Sequence, residues 1–114
     1  MIGIDIIVID RVSKLLDKYG QKFLEKFLNK DEINIAKNEA SIAGFFAAKE
    51  AFSKALSCGI GADFSFHDVK ICKTVKGAPF FEINEKIKSN FNIKNASLSI
   101  SHDGGFAIAA VILE

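Results

Sequence analysis

The chain has 114 residues, of which 25% are charged and 49% hydrophobic, with 15 Lys and Arg against 14 Asp and Glu. That length is one domain, 1–114, big enough to remove roughly two-thirds of the unfolded chain's surface from water. Eleven Phe give it a core and exclude disorder, and a net charge of only +1 excludes a globally basic nucleic-acid binder.

Membrane and export readings fall next. No stretch approaches the ~18 uncharged residues of a spanning helix, and the start lacks the basic segment and cleavage site of a signal peptide. A cytoplasmic protein with no membrane partner is expected. Cys58 and Cys72 form no C-x-x-C pair, so two free thiols are expected rather than a disulfide or a zinc site.

Residues 2–9, Ile-Gly-Ile-Asp-Ile-Ile-Val-Ile, are short and β-branched, which predicts a buried strand. From Arg11 to about Asn38, Lys, Leu, Glu and Phe recur at helical spacing, cut into two or three short helices by Gly20 and the Asn29-Lys30-Asp31 cluster. Ser41 is the expected N-cap of a longer helix running to about Ser57, and Gly59 its left-handed terminator. Val69, Ile71 and residues 80–83 read as a hairpin around Lys76-Gly77-Ala78-Pro79. Residues 84–91 read as a short helix. Residues 96–101 and 106–113 form a second hairpin through Asp103-Gly104-Gly105. The order predicts an α+β domain with helices on a mainly antiparallel sheet.

Asp5 is the first candidate for chemistry, because strand alternation puts it on one face with Ile7 and Ile9. A carboxylate there needs a cation, a donor or water; the plain alternative is a strand-end Asp reaching solvent. On the helix over 41–57, Ile42, Phe45, Phe52 and Leu56 form an apolar stripe. Ala47, Ala48, Ala51 and Ala55 cover much of the rest, leaving Lys49, Glu50 and Lys54 in one polar arc. Glu50 and Lys54 are spaced as an i,i+4 ion pair, so the arc is either a site or a solvated edge. Two carboxylates from separate elements suit Mg²⁺, which takes few protein ligands and adds water and phosphate oxygens, whereas zinc would want His and Cys.

His102 precedes the Asp-Gly-Gly turn, where it either meets a phosphate or a proton, or is a half-exposed turn residue. Arg11, the sole arginine, heads a series Lys14, Lys18, Lys22, Lys26. That series is either a solvated face or a docking stripe for an acidic partner.

Together these segments resemble a known family. Gly3-Ile4-Asp5-Ile6-Ile7-Val8-Ile9-Asp10-Arg11-Val12 is similar to the opening motif of the holo-[acyl-carrier-protein] synthases, the small 4′-phosphopantetheinyl transferases. Residues 46–56, Phe-Ala-Ala-Lys-Glu-Ala-Phe-Ser-Lys-Ala-Leu, followed by Gly59-Ile60-Gly61, resemble its central helix and loop. Gly77-Ala78-Pro79 resembles its G-x-P turn, and residues 98–102 with 107–112 its closing hairpin. The likeness runs through nearly the whole chain in the family's order.

That resemblance implies a homotrimer with active sites shared between neighbours. It implies transfer of the 4′-phosphopantetheine arm of coenzyme A to a serine of acyl carrier protein, in fatty acid biosynthesis, with release of adenosine 3′,5′-bisphosphate. Position by position, Asp5 and Glu50 would hold Mg²⁺, and Lys54 would contact the phosphates and protonate the leaving group. His102, Ser101, Gly59, Gly61, Lys76, Gly77 and Pro79 would line the coenzyme A site. Arg11, Lys14, Lys18 and Lys22 would receive the acidic carrier. The general base is left among Glu50, His102 and a carboxylate of the carrier. Val8 stands where many members carry Glu, Phe45 where a basic residue is frequent, Ala78 where Lys is, and Asp103 where Ser or Thr is typical. The rivals are a carrier-docking module that transfers nothing and a Mg²⁺-dependent coenzyme A or nucleotide hydrolase.

Overall fold

A computed structural model describes all residues 1–114. Strand β1 (Ile2–Val8) leads into α1 (Ile9–Tyr19), α2 (Gln21–Phe27), α3 (Lys30–Ile35) and the long α4 (Glu39–Ala55). A single 3-10 turn (Phe66–Asp68) precedes β2 (Val69–Lys73) and β3 (Pro79–Ile83). Helix α5 (Glu85–Phe91), β4 (Ala96–Asp103) and β5 (Phe106–Leu113) complete the chain. The strands form a three-stranded sheet ordered β1-β5-β4 and a separate β2-β3 pair, all antiparallel. The expected α+β class and both hairpins are present.

Helix α4 lies across one face of the three-stranded sheet, and backbone sterics explain how closely. A Cβ at Gly3 would collide with the carbonyl oxygen of Ala51 and lie 2.6 Å from the backbone nitrogen of Ala55. At the other end of α4, a Cβ at Gly44 would sit 2.7 Å from Ile100 Cγ2 on β4. Small residues on both surfaces thus let β1 and β4 press against the helix. Phe52 of α4 stacks on Phe64 at 5.1 Å and meets Phe81 of β3 edge-on at 4.9 Å, which joins the second strand pair to the same core.

Several boundaries differ from the sequence expectation. The first strand stops at Val8, because the Ile9 N–H turns to the carbonyl of Gly105 (2.9 Å) and the helix begins there. Asn38, not Ser41, caps α4: its side-chain oxygen accepts the Ser41 N–H at 2.9 Å, which places Ser41 inside the first turn. Past α4, Ser57 (φ 63°) is already left-handed before Gly59 (φ 68°). Strand β4 runs to Asp103, so the tight turn is Gly104-Gly105, both with positive φ as a two-residue hairpin loop requires.

The largest difference concerns β1, which is buried on one face only. Gly3 and Ile7 face α4, while Ile2, Ile4, Ile6 and Val8 are exposed, with Ile2 at 71%. Phe106, Ile108 and Ile112 of β5 share that outer face, which no element of the chain covers.

The tight β1–α4 contact generates a direct expectation. Gly3→Ala forces strand and helix apart and destabilises the fold by at least ~2 kcal/mol, the cost of overpacking against unyielding backbone. Urea unfolding measures this, and an unchanged midpoint would contradict the packing described.

Candidate active site

Asp5 points from β1 toward α4, with only 15% of its side chain exposed. Its Oδ1 accepts from Lys54 Nζ at 2.9 Å. The i,i+4 pairing of Glu50 with Lys54 expected along the helix is thereby replaced by a pairing between elements, and Asp5 does not simply reach solvent. Glu50 lies one turn before Lys54 and is half-buried. Burial holds its carboxyl above the ordinary carboxylate range, and the neighbouring Asp5 charge adds to this, while Lys54 opposes it. Two acids thus share one lysine, which leaves a local excess of negative charge facing an open edge.

Lys49 parts company with these two residues. It is fully buried, and its ammonium donates to the carbonyls of Phe27 (2.7 Å) and Phe66 (2.9 Å) and to Glu32 Oε1 (3.0 Å), with Glu32 Oε2 in ion-pair contact at 2.9 Å. Glu32, equally buried, also accepts the backbone N–H groups of Asn29 (2.9 Å) and Ile71 (2.8 Å). The polar arc read from the sequence is therefore split: one residue turns inward and two face the site. Burial lowers the pKa of Lys49, and Glu32 opposes that shift. Glu32 did not stand out in the sequence, although Asn29-x-x-Glu32 has capping-box spacing and the structure forms that box.

A second cluster lies toward the other end of α4. His102, Gly77 and Pro79 line a groove of about 180 Å³ with Ala40, Ser41, Phe45, Lys73 and Ile100. Of the predicted coenzyme A residues, these three come together. Ser101 does not join them, because alternation along β4 turns it to the outer face beside Ile6, Phe106 and Ile108. Lys76 is exposed at the β2–β3 turn and lines no part of the groove. Gly59 and Gly61 follow the C-terminal end of α4, where the Ser57 N–H reaches the Lys54 carbonyl and the Gly59 N–H the Ser53 carbonyl. They belong to the Lys54 end. One chain therefore carries two separate clusters, Asp5, Glu50 and Lys54 at one end of α4 and His102, Gly77 and Pro79 at the other.

On the helical side, Arg11, Lys14, Lys18 and Lys22 are all exposed. They do not form one unbroken stripe: Gly20 (φ 57°) separates Lys14 and Lys18 on α1 from Lys22 on α2. Lys14 pairs with Asp10 at 3.2 Å, and Lys18 sits 5.2 Å from the Tyr19 ring centroid. Arg11 has no carboxylate partner. Both cysteines are free. Burial and a contact with Glu82 push the Cys72 thiol up to about 11, and burial with the Asp63 charge raises Cys58, so neither presents a thiolate nucleophile near neutral pH.

Comparison with known proteins bears on this arrangement. A family model described as the 4′-phosphopantetheinyl transferase superfamily matches residues 1–111. A holo-[acyl-carrier-protein] synthase of Campylobacter fetus subsp. fetus is 61% identical over 114 residues, covering 100% of this chain and 99% of its own. The crystal structure of Helicobacter pylori holo-[acyl-carrier-protein] synthase in complex with coenzyme A superposes with a TM-score of 0.98 at 50% identity over 100% of both chains. The synthase from Neisseria meningitidis superposes at 0.90 and 33% identity, covering 99% of this chain and 96% of that one.

The buried pair can be tested apart from any activity. Lys49→Met leaves Glu32 buried without its cation, and unfolding by denaturant should show a loss of about 3–5 kcal/mol. A loss below ~1 kcal/mol would mean that solvent or another donor already serves Glu32.

Proposed function

Because the chain belongs to the 4′-phosphopantetheinyl transferase superfamily, we propose that it transfers the 4′-phosphopantetheine arm of coenzyme A to a serine of apo acyl carrier protein. It acts as a single domain over 1–114, in the cytoplasm, supplying the carrier of fatty acid biosynthesis. The observation that carries this reading is the meeting of Asp5, Glu50 and Lys54 where β1 crosses α4.

The serine oxygen forms a bond to the phosphorus that bears pantetheine, and the anhydride bond to the adenosine-bearing phosphate breaks, releasing adenosine 3′,5′-bisphosphate. Such a transfer depends on positioning and on neutralising charge more than on covalent help from the protein. Lys54, about half exposed at 53%, is free to contact the pyrophosphate and to donate its proton to the departing phosphate oxygen. The serine proton passes to a base, for which this chain offers Glu50 and His102, and the carrier protein offers its own carboxylates.

The acid pair also fits Mg²⁺. Asp5 and Glu50 are hard oxygen ligands on two rigid elements, their charge only part-balanced by Lys54. No third His, Cys, Asp or Glu converges there to build the closed cage that suits zinc. When bound, the ion would neutralise charge building on the pyrophosphate oxygens.

The working unit is a homotrimer. In support, the outer sheet face around Ile2, Ile4 and Ile6 is apolar and open, and the two clusters lie toward opposite ends of α4. A neighbour on that face would complete each site. The acidic carrier docks on Arg11, Lys14, Lys18 and Lys22.

Intact-mass spectrometry of apo acyl carrier protein, incubated with this protein and coenzyme A, tests the reading. The carrier should gain one phosphopantetheine, and only when Mg²⁺ is present. No gain, with the carrier still retained on a sizing column, would favour the docking module; coenzyme A breakdown without carrier would favour the hydrolase. Asp5→Asn and Glu50→Gln should each abolish the transfer while leaving circular dichroism unchanged, and full activity in either would remove the metal assignment. Arg11→Ala should raise the KM for the carrier several-fold at low salt. That gap should narrow as ionic strength screens the charges, and an unchanged KM would take Arg11 out of the docking face.

A further inference from the structure

Helix α4 has little on its surface to fix its roll about its own axis. Apolar residues lie almost all round it: Ala43, Ala47, Ala51 and Ala55 are buried, and so are Phe45 and Phe52. Methyl groups against the backbone of Gly3 make a smooth contact, and burial, being non-directional, favours no one rotation over its neighbours. The directional contact is the ammonium of Lys49. It is held by the carbonyl of Phe27 at the end of α2, the carbonyl of Phe66 in the 3-10 turn and the carboxylate of Glu32 on α3. Glu32 is held in turn by the Asn29 and Ile71 N–H groups, and both side chains are 0% exposed, so neither can trade its partners for water. Replacing such a pair with apolar residues often leaves stability unchanged, so stability alone does not account for it.

Glu50 and Lys54 lie about 100° and 140° round the helix from Lys49, on the side that meets Asp5. Roll therefore becomes displacement at the acid pair: with side-chain tips ~5–6 Å from the axis, a rotation of about 10° moves them by about 1 Å. An error of that size in a group that positions reacting atoms costs about 100-fold in rate. We propose that Lys49 and Glu32 are positioning residues for the transfer, their buried pair locking the roll of α4 that brings Glu50 and Lys54 to Asp5. This rests on the transferase reading above. Neither residue touches substrate; both act through the helix.

Two variants separate position from stability. Lys49→Met combined with Glu32→Gln leaves no charge buried, and the Gln oxygen still accepts a backbone N–H. Lys49→Arg keeps the charge but puts a wider, planar head into a cradle shaped for an ammonium. Urea unfolding should show both folded in the absence of denaturant. Their kcat should fall about 30–100-fold, with the KM for coenzyme A and for the carrier within about threefold of the unaltered values. Acetic anhydride labelling, read by peptide mass spectrometry, reports the geometry without turnover. Lys54, released from Asp5, should react several-fold faster than in the unaltered protein, while Lys76, exposed and without an ion pair, should not change. An unaltered kcat in either variant that folds overturns the proposal, as does an unaltered rate of labelling at Lys54. Failure of both variants to fold overturns it too, since the pair would then be needed for the fold itself and not for alignment within it. If the unaltered protein transfers nothing, yet labelling at Lys54 responds to both changes, the transferase reading fails while the hold of the pair on α4 stands.

Discussion

The structure depends first on how closely β1 approaches α4. A strand and a helix ordinarily keep a layer of side chains between them. Here Gly3 offers none, and Ala51 and Ala55 offer only methyl groups, so the strand backbone rests on the helix backbone. Asp5, two residues along the same face, is carried within reach of a lysine that is itself anchored one turn beyond Glu50. With a larger residue at Gly3 the same carboxylate would hang short of α4, and the acidic centre would not assemble. The site is thus a consequence of missing bulk as much as of the charged groups themselves.

Rotation of α4 about its axis is governed by a different contact. Lys49 and Glu50 are sequence neighbours about 100° apart on the helix, and the fold sends one into the core and the other toward the site. Every hydrogen-bonding atom of the buried pair is satisfied, through the carbonyls of Phe27 and Phe66 and the amides of Asn29 and Ile71. A buried ion pair rarely stabilises more than well-packed apolar residues would, but it accepts far fewer alternative arrangements. In this chain the arrangement it selects joins α3, α4, the 3-10 turn and β2. It therefore sets the roll of the helix that bears Glu50 relative to the strand that bears Lys73.

Much of this was legible in the sequence. Turn chemistry at Lys76-Gly77-Ala78-Pro79 and at Asp103-Gly104-Gly105 announced both hairpins, and the Ala-rich, Phe-rich composition of α4 announced a helix buried on most sides. Asp5, Glu50 and Lys54 stood out because carboxylates and a lysine on otherwise apolar elements have few structural uses, and the fold brings the three together. Other features were hidden for physical reasons. A lysine on a helix reads as solvent-facing, so the burial of Lys49 required a partner 17 residues away that periodicity does not link to it. Ser101 and His102 are adjacent in sequence, yet only His102 reaches the groove beside α4, a difference that strand alternation permits but motif likeness obscures. Phe45 stands where a basic residue is common, yet a cation occupies its neighbourhood, brought by Lys73 from a strand far downstream. The open outer face of β1 was read as buried because composition counts apolar residues without counting the layers available to cover them.

The packing of Lys18 on Tyr19 has an optical consequence. The chain contains no tryptophan and a single tyrosine, so emission excited beyond the phenylalanine band comes from one ring, half exposed on α1 beside Lys18. The Lys18 ammonium lies 5.2 Å from the ring's centroid. An acidic surface that draws Lys18 away would change the brightness of the only tyrosine present. The protein thus carries a built-in optical probe of the surroundings of Lys18, requiring neither dye nor label.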